Sequence, residues 1–304
     1  MNPKLHAKNI KKRNLPLHLM LLPGLLIVII FTYVPLLGSA MAFQDYKLTT
    51  GILGSEWVGF RNFAFAINTN NFWGVVRNTL VVSVGKIVLG LVIEVLFALL
   101  LNEVASKRAK RLFQTAVYLP YFLSWVILSG IFISILSPSS GLINQALTAL
   151  GLEPIYFLGD KTWFPITMVL TDVWKTFGYG AVIFLAALTG IDRNLYEAAQ
   201  IDGANRFHQT LHITIPGIST MIILMTIMGI GNILSAGFDQ VFNMLSPSVY
   251  ATGDILDTLV YRLAIEQGQY AISAAVGLMK SVVSFILIVA AYVTADKFAD
   301  YKIF

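Results

Sequence analysis

The chain has 304 residues, 57% of them hydrophobic and only 12% charged, with no cysteine and a net charge of +5. A soluble domain carries about 25% charged residues, so this composition cannot clothe a water-facing surface of ordinary polarity, and a polytopic membrane protein is the class that remains. Without thiols there is no disulfide framework, zinc–thiolate or iron–sulfur site, and no cysteine nucleophile.

The first element is a basic stretch, Lys4 to Arg13, followed by the apolar run Leu17–Phe43. A secretory signal begins this way, and Ala40-Met41-Ala42 has the form of a cleavage site. The run is too long for the apolar region of a signal, about 7–15 residues, and Pro23 and Pro35 interrupt it. It reads as a retained first span behind a polar tail over residues 1–16. A membrane-crossing helix needs about 20 mostly apolar residues, and five further stretches qualify: Phe72–Leu101, Leu112–Leu136, Trp163–Leu188, Ser219–Phe242 and Ala271–Thr294. The predicted fold is an all-α polytopic membrane protein with six transmembrane helices, filling residues 17–304.

Lys and Arg in the connections set the orientation. One side collects thirteen: Lys4, Lys8, Lys11, Lys12, Arg13, Lys107, Arg108, Lys110, Arg111, Arg193, Arg206, Lys297 and Lys302. The other holds four, Lys47, Arg61, Lys161 and Arg262. Both termini are therefore expected in the cytoplasm, as is the polar loop over residues 190–218. Aromatics near the outer ends of the spans (Tyr46, Trp57, Phe60, Phe72, Trp73, Trp163) fit an interfacial belt.

Charges within the spans stand out: Arg77, Lys86 and Glu94 in the second, Asp172 and Lys175 in the fourth, Asp239 beside Asn232 in the fifth, Lys280 in the sixth. A charge at the bilayer centre costs about 2.5–3.5 kcal/mol, so such groups face a bundle interior or a wet cavity. Asp172 and Lys175 are three apart and can share a helix face. Asn232, Asp239 and Lys280 are expected to line or border a translocation path; a buried pair that fixes helix register is the alternative for Lys280 as for Asp172 and Lys175, and snorkelling is the alternative for Arg77.

The 190–218 loop is the most informative segment. Asp192 is placed to cap a short helix through Tyr196, Glu197, Ala198, Ala199 and Ile201. The small Ala198 and Ala199 let a partner surface approach. Gly203, between Asp202 and Ala204, supplies a left-handed turn where a Cβ would clash. A second helix comes next, with Phe207 and Leu211 spaced by four to bury one stripe, and Pro216 marks the return to the membrane at a first helical turn. The expectation is a rigid knob tied to the fourth and fifth spans.

This loop, with Glu197-Ala198-Ala199, Gly203 four residues later and Ile213-Thr-Ile-Pro216, resembles the EAA loop of ABC-importer permeases, through which the membrane subunit docks its ATPase. Trp174 to Ile191, running into Asp192 and Tyr196, is similar to carbohydrate permeases of the MalF-type class, as are Asn78-Thr-Leu80 and Ala98-Leu-Leu-Leu-Asn102. Asn14 to Gly24, Phe43-Gln-Asp-Tyr46 and Gly253 to Arg262 resemble the LplB-like, polysaccharide-type branch. Many disaccharide permeases carry Thr-x-Gly-Gly-Pro after the fifth span; here Asn243 to Tyr250 reads differently, which favours that branch. The resemblance implies a type I importer (MetI-like) fold and import of a carbohydrate, such as an oligosaccharide, across a bacterial, Gram-positive cell membrane. It also implies four kinds of partner: a second related permease, two ATPase copies, an extracellular sugar-binding lipoprotein and the sugar. The coupling residues it implies are Tyr196, Glu197, Ala198, Ala199, Asp202, Gly203, Ala204 and Pro216.

No G-x-x-x-x-G-K-[ST] loop occurs, so ATP and Mg are expected on a separate ATPase and no cofactor on this chain. His208 and His212 have ligand-like spacing without an H-E-x-x-H pattern, which leaves no metal or intramembrane enzyme reading. A permease for another solute such as a peptide, and an ion-coupled carrier, are the competing functions; a carrier would show internal repeats, and none is evident.

Overall fold

The computed structural model describes residue 16, residues 19–69 and residues 71–299. Most of the polar tail assigned to residues 1–16, and Lys302, lie outside the described residues. Four helices are long and apolar enough to cross a membrane: Leu19–Phe43, Phe72–Asn102, Trp163–Thr189 and Tyr270–Lys297. These are the first, second, fourth and sixth spans. The third and fifth are bent pairs, Lys107–Phe122 with Trp125–Ile135 at 101° and Arg206–Gly217 with Ser219–Gly231 at 57°.

Two sequence expectations need correction here. The predicted third helix, Leu112–Leu136, is turned at Leu123, which is extended (φ −79°, ψ 139°). The predicted fifth helix, Ser219–Phe242, stops at Gly231; residues 232–237 are not helical, and Phe238–Met244 is a separate short helix. Hydropathy is blind to backbone direction, so an apolar run that turns inside the protein reads as one straight span.

The chain forms two compact units. One comprises residues 1–66 and 263–278. In it the first span widens to a π turn at Ile29–Tyr33 just ahead of Pro35, which lacks the amide that a regular turn would use. A short antiparallel ribbon comes after it, pairing Gln44 with Trp57 and Asp45 with Glu56. Buried Asn62 donates to the carbonyls of Ala42 (3.0 Å) and Gln44 (2.8 Å), and Phe43 packs on Phe60 and Phe63. This satisfies the ribbon's backbone where the strands are too short to do so themselves.

The other unit holds residues 67–262 and 279–304. Its frame is the second span packed along the fourth. One apolar core joins Val82, Phe164 and Met168 to Ala236, Val241, Met244, Val249 and Ile255. A second core, at the end of the fourth span that leads into the 190–218 loop, joins Ala98, Ala181, Phe184, Leu188 and Ile218. Small residues permit close approach, as membrane helices require: a Cβ on Gly178 would collide with the Val117 carbonyl.

Candidate functional site

The 190–218 loop folds as two capped helices joined by a glycine turn. Helix Arg193–Ile201 starts at Asp192, whose carboxylate accepts from the Asn194 amide at 3.0 Å. It ends where Gly203 takes φ +82°, and the Ala204 amide then reaches back to the Ala199 carbonyl at 2.8 Å. That bond is the signature of a helix closed by a left-handed residue. The second helix starts at Asn205, whose side chain accepts from the His208 amide at 2.9 Å. Three contacts stitch the pieces: Tyr196 Oη with Thr214 Oγ1 at 2.9 Å, Gln209 Nε2 to the Ala204 carbonyl at 2.9 Å, and the ion pair of Arg206 with Glu103 beyond the second span. The histidine rings are engaged locally, His208 Nδ1 with Asn205 Oδ1 and His212 Nδ1 with the His208 carbonyl.

Of the predicted coupling residues, Glu197, Ala198, Asp202, Gly203 and Pro216 are exposed, while Tyr196, Ala199 and Ala204 are half-buried. The expectation that Phe207 and Leu211 bury a stripe is wrong. Phe207 is 72% exposed and Leu211 47%; Gln209 and Thr214 are buried in their place. The helix widens to a π turn at Thr210–Thr214, and the extra residue rotates the remainder of the helix, bringing Thr214 to Tyr196. Leu195 and Ile201 are exposed as well. The knob therefore leaves four large apolar side chains in the open.

Within the spans, Asp172 and Lys175 do not serve each other. Asp172 pairs with Lys86 of the second span at 3.2 Å. Lys175 donates to the Tyr121 carbonyl at 2.8 Å, with the rings of Tyr121 and Trp125 at 5.1 and 5.5 Å. The three predicted path residues separate. Asn232 and Asp239 are exposed on either side of the break in the fifth span, and Asn232 donates to the Met228 carbonyl at 3.0 Å. Lys280 is half-buried in an ion pair with Asp257, so its charge is neutralised inside the protein.

Sequence reasoning missed three features. Gln240 is fully buried and bonds to Lys86, to the Met168 carbonyl (2.9 Å) and to Thr171 Oγ1 (2.7 Å); a lone amide beside Val241 and Phe242 was the available signal. Asp254 is buried under Arg262, with which it pairs, and Thr258 (2.7 Å), while Asn78 holds the carbonyls of Ala251 and Asp254. Tyr121 and Tyr179 stack at 4.0 Å and are both partly exposed.

Relatives match this chain along nearly their whole length. A permease of Bacillus subtilis (strain 168) for polygalacturonan/rhamnogalacturonan transport, YteP, is 40% identical over 95% of this chain and 90% of its own. Protein LplB of the same organism is 42% identical over 96% and 92%. A solved bacterial ABC transporter involved in importing the acidic polysaccharide alginate contains a chain 34% identical, with a TM-score of 0.88 over 96% of this chain and 99% of that one. The profile described as binding-protein-dependent transport system inner membrane component matches residues 86–299, and the chain belongs to that family of integral membrane permeases.

Proposed function

We propose that this chain is one of two permease subunits of an ATP-driven importer, and that its solute is an oligosaccharide bearing carboxylates. The observation that carries the coupling half of this reading is the 190–218 knob. It is rigid through its caps and the Tyr196–Thr214 bond, yet it leaves Leu195, Ile201, Phe207 and Leu211 in the open. An apolar face on a stiff, polar-edged hairpin suits a cleft on a separate ATPase, with ATP and Mg held there. The charge asymmetry supports a cytoplasmic side for the knob and both termini. A binding protein outside the cell would deliver the sugar, and a second, related permease would complete the path.

The solute class rests on relatives that handle galacturonan and alginate. The stacked Tyr121–Tyr179 face and exposed Asn232 and Asp239 would meet the sugar, aromatic rings against ring carbons and polar side chains against hydroxyls. The test is the purified complex in liposomes with its ATPase, second permease and binding protein. Oligogalacturonides or alginate fragments are expected to raise ATP hydrolysis. Stimulation by neutral maltooligosaccharides or peptides alone would overturn the acidic-sugar reading. Transport without nucleotide would overturn the ATP-driven one.

A further inference from the structure

The fifth span is interrupted over residues 232–237, and a side chain from the second span closes the interruption. The helix Ser219–Gly231 ends in tight turns, Asn232 amide to Gly229 carbonyl (3.0 Å) and Ser235 amide to Asn232 carbonyl (2.8 Å). Beyond them Lys86 Nζ donates to the Ala236 carbonyl at 2.7 Å and to Gln240 Oε1, and it pairs with Asp172 at 3.2 Å. Gly237 adopts φ +91°, and a Cβ there would sit 3.0 Å from that amine. Gln240 spends its own amide protons on Met168 and Thr171 of the fourth span. The short helix Phe238–Met244 is thus bolted to the second and fourth spans. On the other side of the break the packing is lighter: within Ser219–Gly231 Ile227 alone is fully buried, with Met221, Ile222 and Met225 half-buried against the core around Phe184, and this helix follows the second helix of the knob through a 57° bend.

We propose that Lys86 is a positioning residue that fixes the pivot of a lever. The lever is Arg206–Gly217 with Ser219–Gly231, and residues 232–237 are its hinge. Held by Lys86, the hinge transmits movement of the knob to the face beside Asn232 and Asp239. Released, it absorbs that movement. This assignment rests on the coupling function proposed above, but its structural half can be measured without any sugar.

The chain has no cysteine, so spin labels can be placed on exposed Ser235 and Leu170 in the assembled transporter, in Lys86→Met/Asp172→Asn, Lys86→Arg and Gly237→Ala backgrounds. The double variant keeps charge balance while removing the donor together with its counter-ion. It is expected to broaden the Ser235–Leu170 distance distribution and to lower the ratio of stimulated to basal ATP hydrolysis by about tenfold, the scale of one lost charge-assisted hydrogen bond. Lys86→Arg is expected to keep both near wild type. Gly237→Ala crowds the amine without altering any charge and should reproduce the broadening and the loss, which decides the matter if the double variant does not assemble. A narrow distribution with normal stimulation in the double variant would reduce Lys86 to a counter-ion of Asp172. Either effect without the other would also overturn the pivot. If wild type itself shows no stimulation, the transport reading has failed, and an unbroadened distribution in the variants would still refute the pivot separately.

Discussion

The third and fifth spans are both broken at depth, and a lysine from a neighbouring span meets a carbonyl at each break, yet the two breaks are built differently. At the third, one extended residue, Leu123, makes the turn, and Ser124 at once caps the next helix by accepting from the Ile127 amide. Lys175 covers the Tyr121 carbonyl and has ring faces where Lys86 has a carboxylate. At the fifth, the gap is long, contains a positive-φ glycine, and is closed by a charged and amide network from two other spans. The elbow is held by a local cap and a single remote amine; the hinge is closed by a network of remote side chains. A turn whose polar groups are satisfied within a few residues is stiff in isolation, whereas one satisfied from elsewhere is only as stiff as its partners.

The largest effect that would expose this difference is expected at Gly178, which backs the elbow. A Cβ there meets the Val117 carbonyl, a backbone atom that cannot step aside. Gly178→Leu is expected to yield no folded protein, and Gly178→Ala to lose about 1–3 kcal/mol of stability, read as a lower melting temperature in detergent. Melting at the wild-type temperature in Gly178→Ala would mean that the elbow yields.

Lys175→Met comes next. It strands the Tyr121 carbonyl, a loss of about 1–3 kcal/mol for a buried unsatisfied acceptor, and removes ring contacts worth roughly 0.5–2 kcal/mol. Because an elbow does not move during the cycle, the variant is expected to melt early while keeping its ratio of stimulated to basal ATP hydrolysis. A normal melting point with a collapsed ratio would make the elbow a second hinge.

If movement enters through the knob, Gly203→Val should act differently again. Its φ of +82° costs a β-branched residue roughly 1–2 kcal/mol, too little to unfold the spans but enough to distort the turn between the two knob helices. Membrane insertion and retention of the second permease are expected to be normal, with loss of the ATPase in a pull-down. Full retention of the ATPase at wild-type transport rates would remove the knob from the coupling route.

The same division between local and remote governs how legible the molecule is in its sequence. The Asp192 cap, the Gly203 turn and the first, second, fourth and sixth apolar stretches are local signals, and each appears close to where the residues placed it. The breaks were missed because hydropathy averaged over a span hides Pro120 and Ser124 at one and Asn232, Ser235 and Gly237 at the other. The partners of Lys86 lie far along the chain, at Asp172, Ala236 and Gln240, so three residues of spacing suggested Lys175 for Asp172 and the fold supplied Lys86. Phe207 and Leu211 failed for a third reason. Four-residue spacing groups the two side chains but does not say whether they are turned to the spans or away from them, and both are exposed.

The smallest effect is the sharpest comparison with Gly178. Gly229 lies in the lever helix, and a Cβ on it would meet Ile87 Cγ2 at 2.9 Å. That atom is a side-chain methyl on the second span; χ1 of a β-branched residue is stiff in a helix, so relief comes from a small separation of the two helices, a lesser demand than displacing the backbone carbonyl of Val117. Alanine also favours a helix by about 0.8–1.0 kcal/mol over glycine, which offsets the repacking. Gly229→Ala is therefore expected to change stability by less than about 1 kcal/mol, leaving the melting point close to that of wild type. A lever that slides along Ile87 would register the methyl group in rate before stability, so stimulated hydrolysis should slow while melting holds. If Gly229→Ala melts as early as Gly178→Ala, the contact between the second and fifth spans is as rigid as the elbow. The division into a fixed third span and a moving fifth would then be wrong.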